Sequence, residues 1–175
     1  VPALIFNGIT IVVSPLISLM KDQVNALTQN GIQAAYLNSS LTSTQYAKVI
    51  GNIRRGIYKI IYVAPERLSV PDFLDACIDI KVDLLAIDEA HCISQWGQDF
   101  RPSYLKIADF VNSLGYRPTI AAFTATATVE VKDDIEYSLK LKSPFRITTG
   151  FDRPNLKFEV IRAKHKFDEL LKILK

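Results

Sequence analysis

Short runs of apolar, largely β-branched residues alternate along this chain with longer stretches in which apolar side chains recur every three or four positions. Ile9–Val13 reads as a buried strand. Residues 16–30 read as a helix with Leu16, Met20, Val24 and Leu27 on one face and Gly31 as its stop. Ala34–Leu37 reads as a short strand. Thr42 opens the next helix, with Gln45 three residues on completing a capping-box pattern, and that helix ends near Arg55-Gly56. Residues 59–63 form a strand, 65–77 a loop with helical turns, and Val82–Ile87 a further strand. Residues 103–114 form a helix, 119–123 a strand, 129–141 a helix capped by Thr128, and 145–148 a last strand. Strands and helices alternating at this spacing predict right-handed crossovers and a mostly parallel sheet covered on both faces, a three-layer α/β/α domain. The composition shifts after Gly150. Residues 151–155 read as a linker, 156–161 as a strand and 166–175 as an amphipathic helix. The expected division is therefore a domain over 1–150 and, over 151–175, a linker with the opening of a second.

The 175 residues suffice for one domain with a sizeable core, and 49% hydrophobic with 22% charged residues fits a globular protein. No apolar run reaches the length of a membrane span, and no leader pattern is present, which predicts a cytoplasmic protein without a membrane partner. The two cysteines, Cys77 and Cys92, read as reduced thiols. With only His91 and His165 beside them, a zinc cluster is not expected. Net charge is +3. It concentrates in residues 153–175, where seven basic and three acidic side chains make either a phosphate contact or a solvated helix face.

The most informative stretch is Leu84-Leu85-Ala86-Ile87-Asp88-Glu89-Ala90-His91. Four apolar residues suggest a strand buried from both sides. Charges cannot stay unpartnered in that core, so they should emerge at the strand's end. Ligands of open parallel sheets sit outside the carboxyl ends of strands. A carboxylate pair there suits Mg²⁺, which takes one or two carboxylates plus substrate phosphates. Asp88 is the expected metal ligand, Glu89 the residue beside an attacking water, and His91, one turn on, a relay of the phosphate state. A solvated Asp-Glu pair at a strand end is the plain alternative. A zinc-protease reading fails, since no second histidine sits four residues from His91.

Other segments past strand ends carry weaker signals. Thr124 and Thr126, in Phe123-Thr124-Ala125-Thr126-Ala127-Thr128, can bridge the acidic tip to a neighbouring lobe by hydrogen bonds. The loop after the acidic tip holds Gln95, the single tryptophan Trp96, Phe100 and Arg101; aromatic faces and a guanidinium plane stack on unpaired bases. Tyr104, at a helix start, is expected to pack onto the domain instead. Ser14, Ser18 and the helix-start N–H groups beside them can grip a phosphate backbone, as can Arg67 in Ala64-Pro65-Glu66-Arg67.

Taken in order, these segments resemble the RecQ family of DNA helicases, within the second helicase superfamily. The resemblance covers essentially the whole chain. Its most specific parts are Pro15-Leu16-Ile17-Ser18-Leu19-Met20-Lys21-Asp22-Gln23, the loop from Ser94 to Tyr104, and Phe151-Asp152-Arg153-Pro154-Asn155. DEAD-box and DEAH-box RNA helicases share the carboxylate motif but lack this loop. The resemblance implies a RecA-like first motor lobe of an ATP-dependent, 3′-to-5′ DNA-unwinding enzyme of repair and recombination. It implies ATP and Mg²⁺ as cofactors, and a cytoplasmic or, in a eukaryote, nuclear location. Its partners would be single-stranded and duplex DNA and a second lobe of the same full-length chain. Carried over, Asp88 and Glu89 resemble the Mg²⁺ and water-activating pair. His91, Thr124 and Thr126 resemble the coupling set, and Gln95, Trp96, Phe100 and Arg101 the loop that senses single-stranded DNA. Ser14, Ser18 and Arg67 match regions along the DNA strand. Gln98 stands where the family often has histidine.

A nucleotide motor also needs a phosphate cradle, Gly-x-x-x-x-Gly-Lys-Ser/Thr, and no glycine in these 175 residues is followed by lysine. The resemblance puts that cradle upstream of Val1 and an arginine finger beyond Lys175, so the 175 residues alone are expected to be inactive. The alternatives are a non-catalytic nucleic-acid-binding module on a degenerate motor fold, and an RNA helicase or translocase of the same superfamily.

Overall fold

The alternating pattern becomes a five-stranded parallel sheet of order β2-β3-β1-β4-β5. The computed structural model describes residues 1–150, 155–157, 159–163 and 165–174. They form two units, residues 1–144 and 145–175. In the first, a short helix α1 (Pro2–Ile5) leads into β1 (Ile9–Val13), α2 (Ile17–Gln29), β2 (Ala34–Leu37), α3 (Ser43–Arg54) and β3 (Ile60–Val63). A 3₁₀ turn (Pro65–Ser69), α4 (Pro71–Ile80), β4 (Val82–Ile87), 3₁₀ turns at Ala90–Ile93 and Pro102–Leu105, α5 (Lys106–Ser113), β5 (Thr119–Ala122) and α6 (Val129–Ser138) follow. The α/β architecture predicted from the sequence is what forms.

Period-two alternation sorts the strand residues onto two faces. Ile11, Val13, Leu37, Ile61, Val63, Leu85 and Ile87 meet α3, α4, α5 and α6 in the main core, with Ile53, Phe73, Ile107 and Val131 among the buried helix residues. Phe73 and Phe110 stack with centroids 5.9 Å apart. On the other face Ala3 of α1 and Val24 of α2 cover Ala34 and Ile60, with Val12, Tyr36 and Tyr62 packed beside them. Two-sided burial of β4 is only partly realised. Leu84 and Ala86 are half-buried, because α2 packs over β2 and β3 rather than over β4.

The helix ends follow local chemistry. Thr42 Oγ1 accepts the Gln45 N–H at 3.3 Å while Gln45 Oε1 accepts the Thr42 N–H at 2.9 Å, which is the capping box read from the sequence. Thr128 caps α6 through the Val131 N–H. Three expectations are corrected. Residues 65–77 are not one loop: Pro71, at the first position of α4, restarts a helix that runs to Ile80. Residues 145–148 form no strand, because a strand needs a neighbour to ladder with and none pairs there among the described residues. The described residues of 156–161 form none either, for the same reason. The expected linker lies outside the described residues except for Asn155. In the second unit α7 (Lys166–Ile173) carries a Lys172–Glu169 ion pair at 3.0 Å. No helix among the described residues is long and apolar enough to cross a membrane.

Thr42→Ala removes one half of the capping box, and the expected loss is about 1 kcal/mol of stability, read as a lower urea midpoint at unchanged slope. An unmoved midpoint would show that α3 is held by packing alone.

Candidate active site

Parallel register brings the ends of β1 and β4 together. Val13 pairs with Ile87, so Ser14 falls beside Asp88. The Asp88 N–H donates to the Val13 carbonyl at 2.9 Å. Ser14 Oγ donates to Asp88 Oδ2 at 3.2 Å, and the Glu89 N–H donates to Asp88 Oδ1 at 3.0 Å. Ser14 is buried, whereas Asp88 and Glu89 are only half-buried. The carboxylates therefore stand at the sheet's carboxyl edge and not within the apolar interior. Tyr62, on the neighbouring strand β3, has its phenol pushed up from its ordinary range by burial first and by the Asp88 charge second.

Glu89 sits in the left-handed region, φ 48° and ψ 45°, unusual for a side chain with a Cβ. Hydrogen bonds on its following side, besides the one from its own N–H to Asp88, hold it there: Ala90 N–H to the Phe123 carbonyl at 2.9 Å, and Cys92 N–H to the Glu89 carbonyl at 2.9 Å. The sharp turn sets His91 against the segment just past β5. His91 Nδ1 lies 3.0 Å from Thr124 Oγ1 and 3.3 Å from Glu89 Oε2. Thr124 Oγ1 also accepts the Thr126 N–H at 3.2 Å. Of the residues read from the sequence, Asp88, Glu89, His91 and Thr124 thus come together. Thr126 joins through its backbone, and its side chain is exposed.

The aromatic loop closes on this tip. The Arg101 N–H donates to the Cys92 carbonyl at 2.9 Å, and Tyr104 Oη donates to the Asp88 carbonyl at 2.9 Å. The Arg101 guanidinium donates to Asp99 Oδ2 at 2.7 and 3.0 Å and reaches the Pro15 carbonyl at 3.4 Å. Its hydrogen bonds hold the Asp99 carboxyl below the usual carboxylate range. Burial, aided by the Asp99 charge, pushes the Cys92 thiol up to about 11, so it stays protonated and unreactive at neutral pH. Trp96 is 80% exposed, and Gln95 and Gln98 are exposed beside it. Phe100 and Arg101 are half-buried. Gly97 permits the loop's close approach: a Cβ there would fall inside the van der Waals surface of the His91 carbonyl oxygen.

Two further residues lie past other strand ends. Ser18 is exposed on the first turn of α2. Arg67, after β3, donates to the Asn38 carbonyl at 3.2 Å and lies 5.6 Å over the Tyr46 ring. Asn38 is fully buried, and its Oδ1 accepts from Ser40 N–H and Oγ. Sequence reading missed three contributors. Tyr104 packs as expected but also touches the tip, Asn38 anchors Arg67, and Gly97 seats the loop. A polar Asn-Ser-Ser turn straight after a strand was the available signal for Asn38.

No three His, Cys, Asp or Glu side chains gather as a metal cluster among the described residues. A cation at Asp88 would thus take its remaining ligands from water and phosphate oxygens, the habit of Mg²⁺ rather than of zinc or calcium.

Residues 3–135 match the model of the DEAD/DEAH box helicases. The chain belongs to the DEAD/DEAH box helicase family. It is 50% identical over 166 residues to the ATP-dependent DNA helicase RecQ of Bacillus subtilis, covering 95% of this chain and 28% of that protein. It is 42% identical over 165 residues to the mouse bifunctional 3′-5′ exonuclease/ATP-dependent helicase WRN, covering 92% of this chain and 11% of that one. The chain therefore spans well under a third of the length of these relatives. Among solved structures it is similar to the Pyrococcus furiosus Hef helicase domain, with a TM-score of 0.55 at 18% identity over 78% of this chain and 28% of that one. A hypothetical ATP-dependent RNA helicase from Sulfolobus tokodaii gives 0.57 at 18% identity over 79% and 40%. These structural likenesses show the parallel-sheet α/β fold.

Gly97→Ala should lift the aromatic loop from the His91 main chain. The expected result is a loss of about 1–3 kcal/mol of stability with a shifted Trp96 emission maximum. Wild-type stability and emission would mean the loop is seated elsewhere.

Proposed function

We propose that this chain is part of the first motor lobe of a RecQ-type, ATP-dependent DNA helicase that travels 3′-to-5′ and unwinds duplex DNA in repair and recombination. Residues 1–150 form the lobe and 151–175 lead into a second lobe of the same full-length protein. It works in the cytoplasm of a bacterium or the nucleus of a eukaryote. The observation that carries this reading is the Asp88-Glu89 pair at the carboxyl edge of β4, half-buried, braced and backed by the His91–Thr124 contact. The 50% identity to a protein named an ATP-dependent DNA helicase supports it.

On this reading Asp88 would hold Mg²⁺ beside ATP, in line with a single carboxylate braced by a donor on each oxygen. The bound ion supplies charge neutralisation at the phosphates. Glu89 orients the attacking water and takes its proton. His91, bonded to Thr124, carries the state of the site to β5, and Thr126 extends that path. Trp96 and Phe100 offer stacking faces to unpaired bases, with Gln95 and Arg101 alongside, while Ser18 and Arg67 lie along the phosphate backbone.

In the full-length protein, Glu89→Gln should lower DNA-stimulated ATP hydrolysis by about 10²–10⁴-fold with single-stranded DNA affinity retained. Turnover near the wild-type rate would remove Glu89 from the reaction. Trp96→Ala should weaken single-stranded DNA binding by roughly tenfold or more, measured by anisotropy of a labelled oligonucleotide at low salt. Unchanged affinity would discard the stacking role.

A further inference from the structure

We propose that Ser14 is the positioning residue for the Asp88 carboxylate: its buried hydroxyl fixes the orientation in which Asp88 meets the cation. The inference rests on the reading that Asp88 holds Mg²⁺, and it assigns Ser14 to the metal rather than to a DNA phosphate. Ser14 is 1% exposed, so a nucleic-acid backbone reaches its hydroxyl only if the sheet edge opens. A carboxylate only accepts hydrogen bonds, so at 3.2 Å the Ser14 hydroxyl donates to Asp88 Oδ2. The other oxygen, Oδ1, accepts the Glu89 N–H. One donor on each oxygen sets the rotation of the carboxylate while leaving lone pairs for a cation and its water.

The brace is itself held. Ser14 N–H donates to the Val63 carbonyl of β3 at 3.2 Å, and the Asp88 N–H donates to the Val13 carbonyl, so both main chains are fixed before the side chains meet. Pro15, next in the chain, has a rigid φ, and its carbonyl accepts from Arg101. Groups that hydrogen-bond a metal-ligating side chain orient it, and their loss typically costs ~10–100-fold in metal affinity.

The test uses the full-length protein and reads binding of a fluorescent ATP analogue as Mg²⁺ is titrated, with no turnover required. Thr and Val have the same shape and differ by the hydroxyl, so Ser14→Thr and Ser14→Val separate hydrogen bonding from packing. Ser14→Val and Ser14→Ala should raise the half-saturating Mg²⁺ concentration roughly tenfold or more, while Ser14→Thr stays within about threefold of wild type. Equal shifts in Thr and Val variants would assign the effect to packing and overturn the inference. So would Ser14→Ala that weakens single-stranded DNA binding with the Mg²⁺ titration unmoved. If the wild-type protein bound the analogue independently of Mg²⁺, the proposed function itself would fall, and this inference with it. If wild type depends on Mg²⁺ and Ser14→Ala titrates identically, only the inference falls.

Discussion

The pairing of β1 with β4 is the constraint on which everything at the carboxyl edge depends. Side chains on a strand alternate faces, so a one-residue slip would turn Asp88 away from Ser14. The register is set at the opposite end of the sheet. It shifts between Ile9 and Thr10, where Ile9 pairs with Val82 but Thr10 with Leu84, leaving Asp83 as the extra residue. Asp83 Oδ2 accepts the Gly8 N–H at 2.5 Å. A Cβ at Gly8 would lie 2.5 Å from the Lys81 carbonyl oxygen, so only glycine allows the approach. A bulge near the amino ends of two strands thereby decides which groups meet at their carboxyl ends.

The edge concentrates polar groups and backbone strain in one place. A non-glycine residue in the left-handed region costs of order 1–3 kcal/mol and persists only where its surroundings over-determine it. Glu89 meets that condition, because Ala90 and Cys92 donate on one side and Asp88 accepts on the other. The strain has a geometric product. It turns the chain within one residue of the strand, so His91 faces Thr124, two residues past the end of β5, instead of following β4 outward. Holding these groups in advance matters because side chains already oriented need no reorganisation when charge develops beside them.

Local pattern made much of this legible. Thr42 with Gln45, Thr128 before an apolar-periodic run, and the short apolar runs at Ile9–Val13, Ala34–Leu37, Ile60–Val63 and Val82–Ile87 each carry their own instructions, and those elements formed. The acidic tip was visible because four apolar residues cannot be followed by two carboxylates without the chain leaving the core. What stayed hidden was non-local. Residues 145–148 have strand-like composition, but a strand exists only through its neighbour. Pro2–Ile5 is too short to show a helical period. Nothing near Tyr104 in sequence says that its hydroxyl meets a carbonyl sixteen residues earlier. Ser14 looks like any serine before a helix until the register sets it beside Asp88.

The aromatic loop shows how exposure and rigidity can be combined. Its outer residues, Gln95 and Trp96, stand in solvent, yet its ends are tied to the tip. Arg101 binds the Cys92 carbonyl through its main chain and the Pro15 carbonyl through its guanidinium, and Tyr104 binds the Asp88 carbonyl. Tyr104 is fully buried, so its ring cannot swing without opening the core around it. The loop is therefore bonded to the Asp88 main chain through Tyr104 and to the residue after Ser14 through Arg101, and neither bond uses the Asp88 carboxylate. In the proposed motor lobe, that arrangement would let the loop shift Asp88 as a body, without first breaking the bonds that orient its carboxylate.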